Sequence, residues 1–137
     1  MRTASAIVAT IIVLVVSLAA QNQAKEKAAA EAAAPWLALV DSGNYAQSWQ
    51  EAASIFKAAV TQEQWERTMK AERAPLGSLL SRKLVSARYT TRLPGAPDGE
   101  YVVLQFDSSF SHKKSAVETA TPMMDGGQWR VSGYYMK

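Results

Sequence analysis

The chain has no cysteine and one histidine among its 137 residues. Without cysteine there are no disulfides, even in an exported protein, no thiolate nucleophile, and no thiol after an apolar leader to carry a lipid. With His112 alone in SHKK, beside Lys113 and Lys114, no second histidine or cysteine completes a zinc site, so metal and cofactor chemistry are not expected. A large charge of one sign is also missing. The formal net charge is +3, and it falls to +2 if Arg2 is lost with a leader. That excess is too small and too scattered for a nucleic-acid-binding face. Stability has to come from packing, and 48% apolar with 20% charged residues is an ordinary balance for one globular domain.

Charge is absent most conspicuously near the start. ASAIVATIIVLVVSLAA, residues 4–20, holds no charged residue and follows a lone Arg2. Its most apolar part, residues 6–16, is short, and Ser17 and Ala19 put small side chains at the third and first positions before a cut. These features favour a cleaved signal peptide over residues 1–19, hence a periplasmic or secreted product. The alternative is an inner-membrane anchor through residues 4–20. Arg2 precedes the run and Lys25 and Lys27 follow it, so charge asymmetry does not orient it.

Next comes QNQAKEKAAAEAAAPW, strong helix formers ending at Pro35. Residues 20–35 are expected to form an Ala-rich helical spacer or the frayed start of the first helix, and residues 36–137 the folded domain. YAQSWQEAASIFKAAV repeats apolar residues at helical spacing from Tyr45 to Val60, which predicts one helix. Thr61 with Gln64 forms a capping box that starts another, and Pro75 ends it near Ala74. Beyond Gly77 the period changes to two. SRKLVSARYTTRL, EYVVLQFDSSF, SAVETATPMM and QWRVSGYYMK read as four strands. Consecutive strands without intervening helices pair as antiparallel neighbours, so the expected class is α+β, with two to three N-terminal helices packed on a curved four-stranded sheet.

The turn-rich RLPGAPDGEY, residues 92–101, sits between the first two strands. A phosphate cradle needs backbone N–H groups and commonly opens a helix, whereas Pro94 and Pro97 have no such donor and a strand follows. It reads as a hairpin connection. Asp125, Gly126 and Gly127 turn the last pair.

Five residues are binding candidates. Strict alternation places Arg82, Arg88 and Arg92 on one strand face with Leu84, Ser86 and Thr90, where guanidinium groups suit an anion or acidic partner; the plain alternative is a solvated face. Glu118, between Ala116 and Ala120, lies in the partly apolar setting a general base uses, or pairs with an arginine of a neighbouring strand. Tyr134 and Tyr135 face opposite sides of the last strand, so one of them is a contact residue. Arg73 caps its helix or pairs with an acid, the cap being favoured. Trp49 and Trp65 fall on buried helical stripes and read as core.

WLALVDSGNYAQSWQEAASIF, RAPLGSLLSRKL, LPGAPDGEYVVLQF and GQWRVSGYYMK, taken in this order over residues 36–137, resemble a bacterial family of domains of unknown function, numbered 4019. The resemblance implies an exported or membrane-tethered protein and brings no catalytic residues with it. The order of helices and curved sheet is similar to the nuclear transport factor 2-like and cystatin-like rolls, an analogy of fold alone. The expected function is that of an exported, non-enzymatic domain binding a small ligand or an envelope protein through the cone or concave face of its sheet, with a homodimer compatible. The alternatives are an isomerase-like enzyme with Glu118 as base in an apolar pocket, and a membrane-anchored interaction module that keeps its N-terminal segment.

Overall fold

A computed structural model describes residues 3–137, with side chains from residue 17 onward. The segment read as signal or anchor, residues 1–19, therefore lies outside the described side chains except for residues 17–19, which are exposed. Among the residues whose side chains are described, from residue 17 onward, no helix is long and apolar enough to cross a membrane.

Helix α1 (Thr3–Asp41) runs through Pro35 rather than ending there. Proline removes one helical N–H and crowds the carbonyl four residues back. Here Pro35 and Glu31 both lie on the solvent side, where water satisfies the freed carbonyl. The opposite side of the helix carries Ala29, Ala33, Trp36, Leu37 and Val40, spaced by three, four and one, and all are buried in the core. Residues 20–35 are thus not wholly a spacer. Residues 17–24 stand clear of the domain, and from Lys25 onward the helix packs against the sheet. Small alanines serve there because they let the helix axis approach the strands closely.

The single helix expected over residues 45–60 is two. Helix α2 (Tyr45–Glu51) and helix α3 (Ser54–Ala59) are separated by extended backbone at Ala52 and Ala53. Two long-range contacts hold the break: Ala53 N–H donates to the Val131 carbonyl at 2.8 Å, and the Asp125 carboxylate accepts from both Ser54 N–H and Ser54 Oγ. Asp125 therefore caps α3 from across the fold, and those hydrogen bonds, backbone N–H first, lower its pKa. Helix α4 (Gln62–Glu72) begins with the expected capping box at Thr61 and Gln64, and a short 3₁₀ turn (Ala74–Leu76) follows it.

Strands β1 (Leu79–Thr90), β2 (Tyr101–Phe110), β3 (Lys113–Asp125) and β4 (Gln128–Met136) form one antiparallel sheet in the order β1-β2-β3-β4. The α+β class with helices against a four-stranded sheet is as the sequence indicates. Val102, Leu104, Phe106, Ala120 and Val131 face the helices and join Trp36, Leu37, Trp65 and Met69 in the core. Trp36 Nε1 donates to the Ser48 carbonyl and Trp65 Nε1 to Ser48 Oγ, so both buried indoles are satisfied. Two irregularities matter below. Register shifts between Leu84 and Ser86 on β1, and opposite Thr121 on β4, where Ser132 and Gly133 together face one residue.

Ala33 is fully buried and Ala34 exposed, so Ala33→Leu should destabilise the domain by about 1–3 kcal/mol through overpacking, while Ala34→Leu should stay within about 0.5 kcal/mol of the parent. Urea unfolding of the two variants checks this. Equal stabilities would mean that α1 is not part of the core.

Candidate functional site

The sheet buries a carboxylate. Glu118, on β3, is fully inaccessible, yet it lies on the helix-facing side opposite Phe106, where an unpaired charge would be prohibitive. It is not unpaired. Arg82 Nε and Nη2 reach Glu118 Oε1 and Oε2 at 2.8 and 3.0 Å, Ser108 Oγ donates to Oε1, and the Tyr134 hydroxyl donates to Oε2. Four donors fill the four acceptor positions of one carboxylate. Arg82 then turns its other edge to Asp41 at the end of α1, with Nη1 to Oδ2 at 2.8 Å and Nη2 to Oδ1 at 2.9 Å. Arg73, at the end of α4, donates from Nη2 to the same Asp41 and from Nη1 to the Gly77 carbonyl, and stacks 4.4 Å from the centre of the Phe110 ring.

Two carboxylates and two guanidinium groups make a neutral, almost dry cluster joining α1, α4, β1 and β3. Burial acts to lower the Arg82 pKa, but hydrogen bonds to Asp41 and Glu118 outweigh it and raise the value above an already high one. Burial, and then the adjacent Glu118 charge, push the Tyr134 phenol well above its ordinary value, which keeps it protonated as a donor. Of the five sequence candidates, the structure brings together Arg82, Glu118 and Tyr134. Glu118 takes the pairing alternative, with an arginine two strands away. Arg73 stands at the C-cap of α4 through its backbone N–H, which donates to the Met69 carbonyl, while its side chain takes the acid-pairing alternative with Asp41.

Arg88 and Arg92 do not join them. The register shift after Leu84 turns the strand over, so Ala87 and Tyr89 face the helices while Arg88 is exposed on the other side. Arg92 lies past the end of β1, solvent-exposed and 3.7 Å from Asp98. The shared arginine face is therefore corrected: strict alternation failed at one extra residue. Asp41, Arg73 and Ser108 complete the cluster and were not singled out as a group, although an aspartate closing an apolar helical stripe is a visible sign of a buried partner.

The helix-covered face of the sheet is packed with core side chains. Space lies on the other side of the sheet. A groove of about 470 Å³ is floored by Tyr101, Thr121, Ser132 and Gly133 and walled by Ile55, Phe56 and Ala59 of α3 and by residues 93–97 of the β1–β2 turn. None of these residues is charged. Two of its three side-chain hydroxyls are engaged, the Tyr101 hydroxyl donating to the Pro97 carbonyl and Ser132 Oγ to the Thr121 carbonyl, and the Thr121 hydroxyl is the third. The hairpin connection is thus a turn that also forms a wall. Gly133, with no positive φ, has open space where a Cβ would project.

The turn is moored to α1. Lys25 Nζ donates to Glu100 Oε1 at 2.7 Å and to the Tyr89 hydroxyl, that hydroxyl donates to Glu100, and Glu26 accepts from Tyr89 N–H. The hydrogen bond to Glu100 raises the Lys25 pKa, and the same bond, followed by that from Tyr89, lowers the Glu100 pKa.

Two outcomes are expected. Glu118→Leu alone should cost about 3–5 kcal/mol because Arg82 is left buried without one of its partners, and adding Arg82→Met should recover part of the loss; denaturant midpoints measure both, and additive losses would show the pair to be uncoupled. The Glu100 mooring, whose folded pKa is depressed, contributes fully above the ordinary glutamate range near about 4.3 and is lost as pH falls through the lower folded value. A carboxyl-carbon NMR titration should place the Glu100 midpoint below that range, and Lys25→Met should return it there.

Comparison with known proteins agrees with these observations only at the level of family. No curated protein matches the chain. Residues 32–134, which include the Asp41–Arg82–Glu118 cluster and every residue of the groove, match the family described as "Protein of unknown function (DUF4019)", and the chain belongs to that family.

Proposed function

We propose that this is a non-enzymatic domain of the bacterial envelope that binds a small apolar ligand, or an apolar segment of an envelope protein, in the groove between α3 and the β1–β2 turn. The observation that carries the reading is the groove's chemistry. At about 470 Å³ it has the size of a small-molecule site. Its walls hold no charged side chain, and the Tyr101 and Ser132 hydroxyls are bonded within the protein. Such a surface gains by covering apolar area and offers nothing to an ion. The uncharged run at residues 4–20 is what supports an envelope location.

The isomerase-like alternative needs a carboxylate with a free lone pair facing a pocket. Glu118 has donors on all four acceptor positions and no exposed surface, so a substrate proton has nowhere to go. Its chemistry is that of a clamp.

Native mass spectrometry of the protein purified from its own host should show a non-covalent adduct on the parent chain and none on Gly133→Leu, which adds a side chain at a groove-lining position with open space around its Cβ and no positive φ. An adduct of equal abundance on both would move the site elsewhere. A bare parent chain would remove the proposal's support.

A further inference from the structure

The groove and the N-terminal segment meet at the same end of the domain, and this narrows the ligand. Strand β1 ends at Thr90 and β2 starts at Tyr101, so the β1–β2 turn caps one end of the sheet, and the β3–β4 turn caps the same end. Helix α1 passes Tyr89 and Glu100 at Lys25 and reaches Arg82 at Asp41, so it runs antiparallel to β1 and leaves the domain at the turn end. Residues 17–24 are exposed, with Leu18 uncovered by any part of the fold. From Ala20, where the apolar run stops, to Lys25 is five helical residues, about 8 Å. The groove's outer wall, residues 93–97, belongs to the turn between Tyr89 and Glu100, both of which bond Lys25.

The apolar run, residues 4–20, is 17 residues long, at the short limit for a spanning helix. It belongs to α1 itself, with no proline or glycine between residues 4 and 34 to separate it from the core helix.

Resting on the groove reading above, we propose that residues 4–20 are retained as an anchor, that α1 thereby holds the groove at the bilayer surface, and that the occupant is one acyl chain of a membrane lipid. An acyl chain suits uncharged, mainly apolar walls in which the Thr121 hydroxyl alone is not bonded within the protein. Its charged headgroup stays outside, beside the exposed rim of the turn at Arg92 and Asp98. The short, moored helix leaves no slack for the domain to turn its other end to the membrane.

The chain's lack of cysteine allows single labels on the full-length protein in phosphatidylethanolamine–phosphatidylglycerol vesicles carrying lipids brominated on the acyl chain. A fluorophore on Asp98→Cys, at the groove rim, should be quenched several-fold more than one on His112→Cys, at the opposite end in the β2–β3 turn. Gly133→Leu should abolish most of the Asp98 quenching while vesicle association persists. Failure of the full chain to associate, or equal quenching at both sites, would overturn the orientation. Quenching that survives Gly133→Leu would overturn the acyl-chain occupant. In either case the adduct measured by native mass spectrometry in solution would still decide the groove reading independently.

Discussion

Everything in this fold is arranged about a guanidinium group held between two carboxylates. Arg82 bridges Asp41 and Glu118 with four hydrogen bonds, and these three residues come from the first helix, the first strand and the third. Charges removed from water are costly unless every lone pair and N–H is matched. The position of α1 over the sheet, the depth of β3 and the tilt of Tyr134 are therefore set together. A hydrophobic core alone would tolerate small slips of α1 along the strands. A bidentate pair at each edge of one planar group does not, because its geometry is fixed to tenths of an ångström.

The groove follows from that constraint at one remove. With α1 locked over one face, its core stripe packs the inner side of the sheet. The β4 irregularity and the break between α2 and α3 open space on the other side, with Asp125 and Val131 holding the break in place. The charge cluster and the groove are thus separate parts of the molecule. The charged residues that first draw attention in the sequence are internal, and the surface best suited to a ligand is made of alanine, proline, glycine and aromatic carbon.

Periodicity made the four strands and their order readable, and the Thr61–Gln64 box marked α4. What was not legible has physical causes. The split at Ala52–Ala53 depends on Val131 and Asp125, more than seventy residues away, and two alanines give no local sign of it. One extra residue near Val85 reverses the face of everything after it, so an alternation counted through that point assigns Arg88 to the wrong side. Pro35 stops a helix only where its lost hydrogen bond is hidden from water, and burial cannot be read from one residue. Glu118 was recognisable as unusual because a carboxylate between alanines in a strand demands a partner. Which partner it had was a question of topology, since Arg82 reaches it across the intervening strand.

One helix serves both as the central core element and as the segment leading to the chain's start. A pull on the N-terminal end is therefore not absorbed by a linker. It runs along the helix axis, antiparallel to β1, and arrives as shear on the Lys25–Glu100 mooring and the Asp41–Arg82 pair, which must slip together before the helix can move. Mechanically the domain is a peg driven into its own sheet, stiff along the axis and insensitive to modest loads.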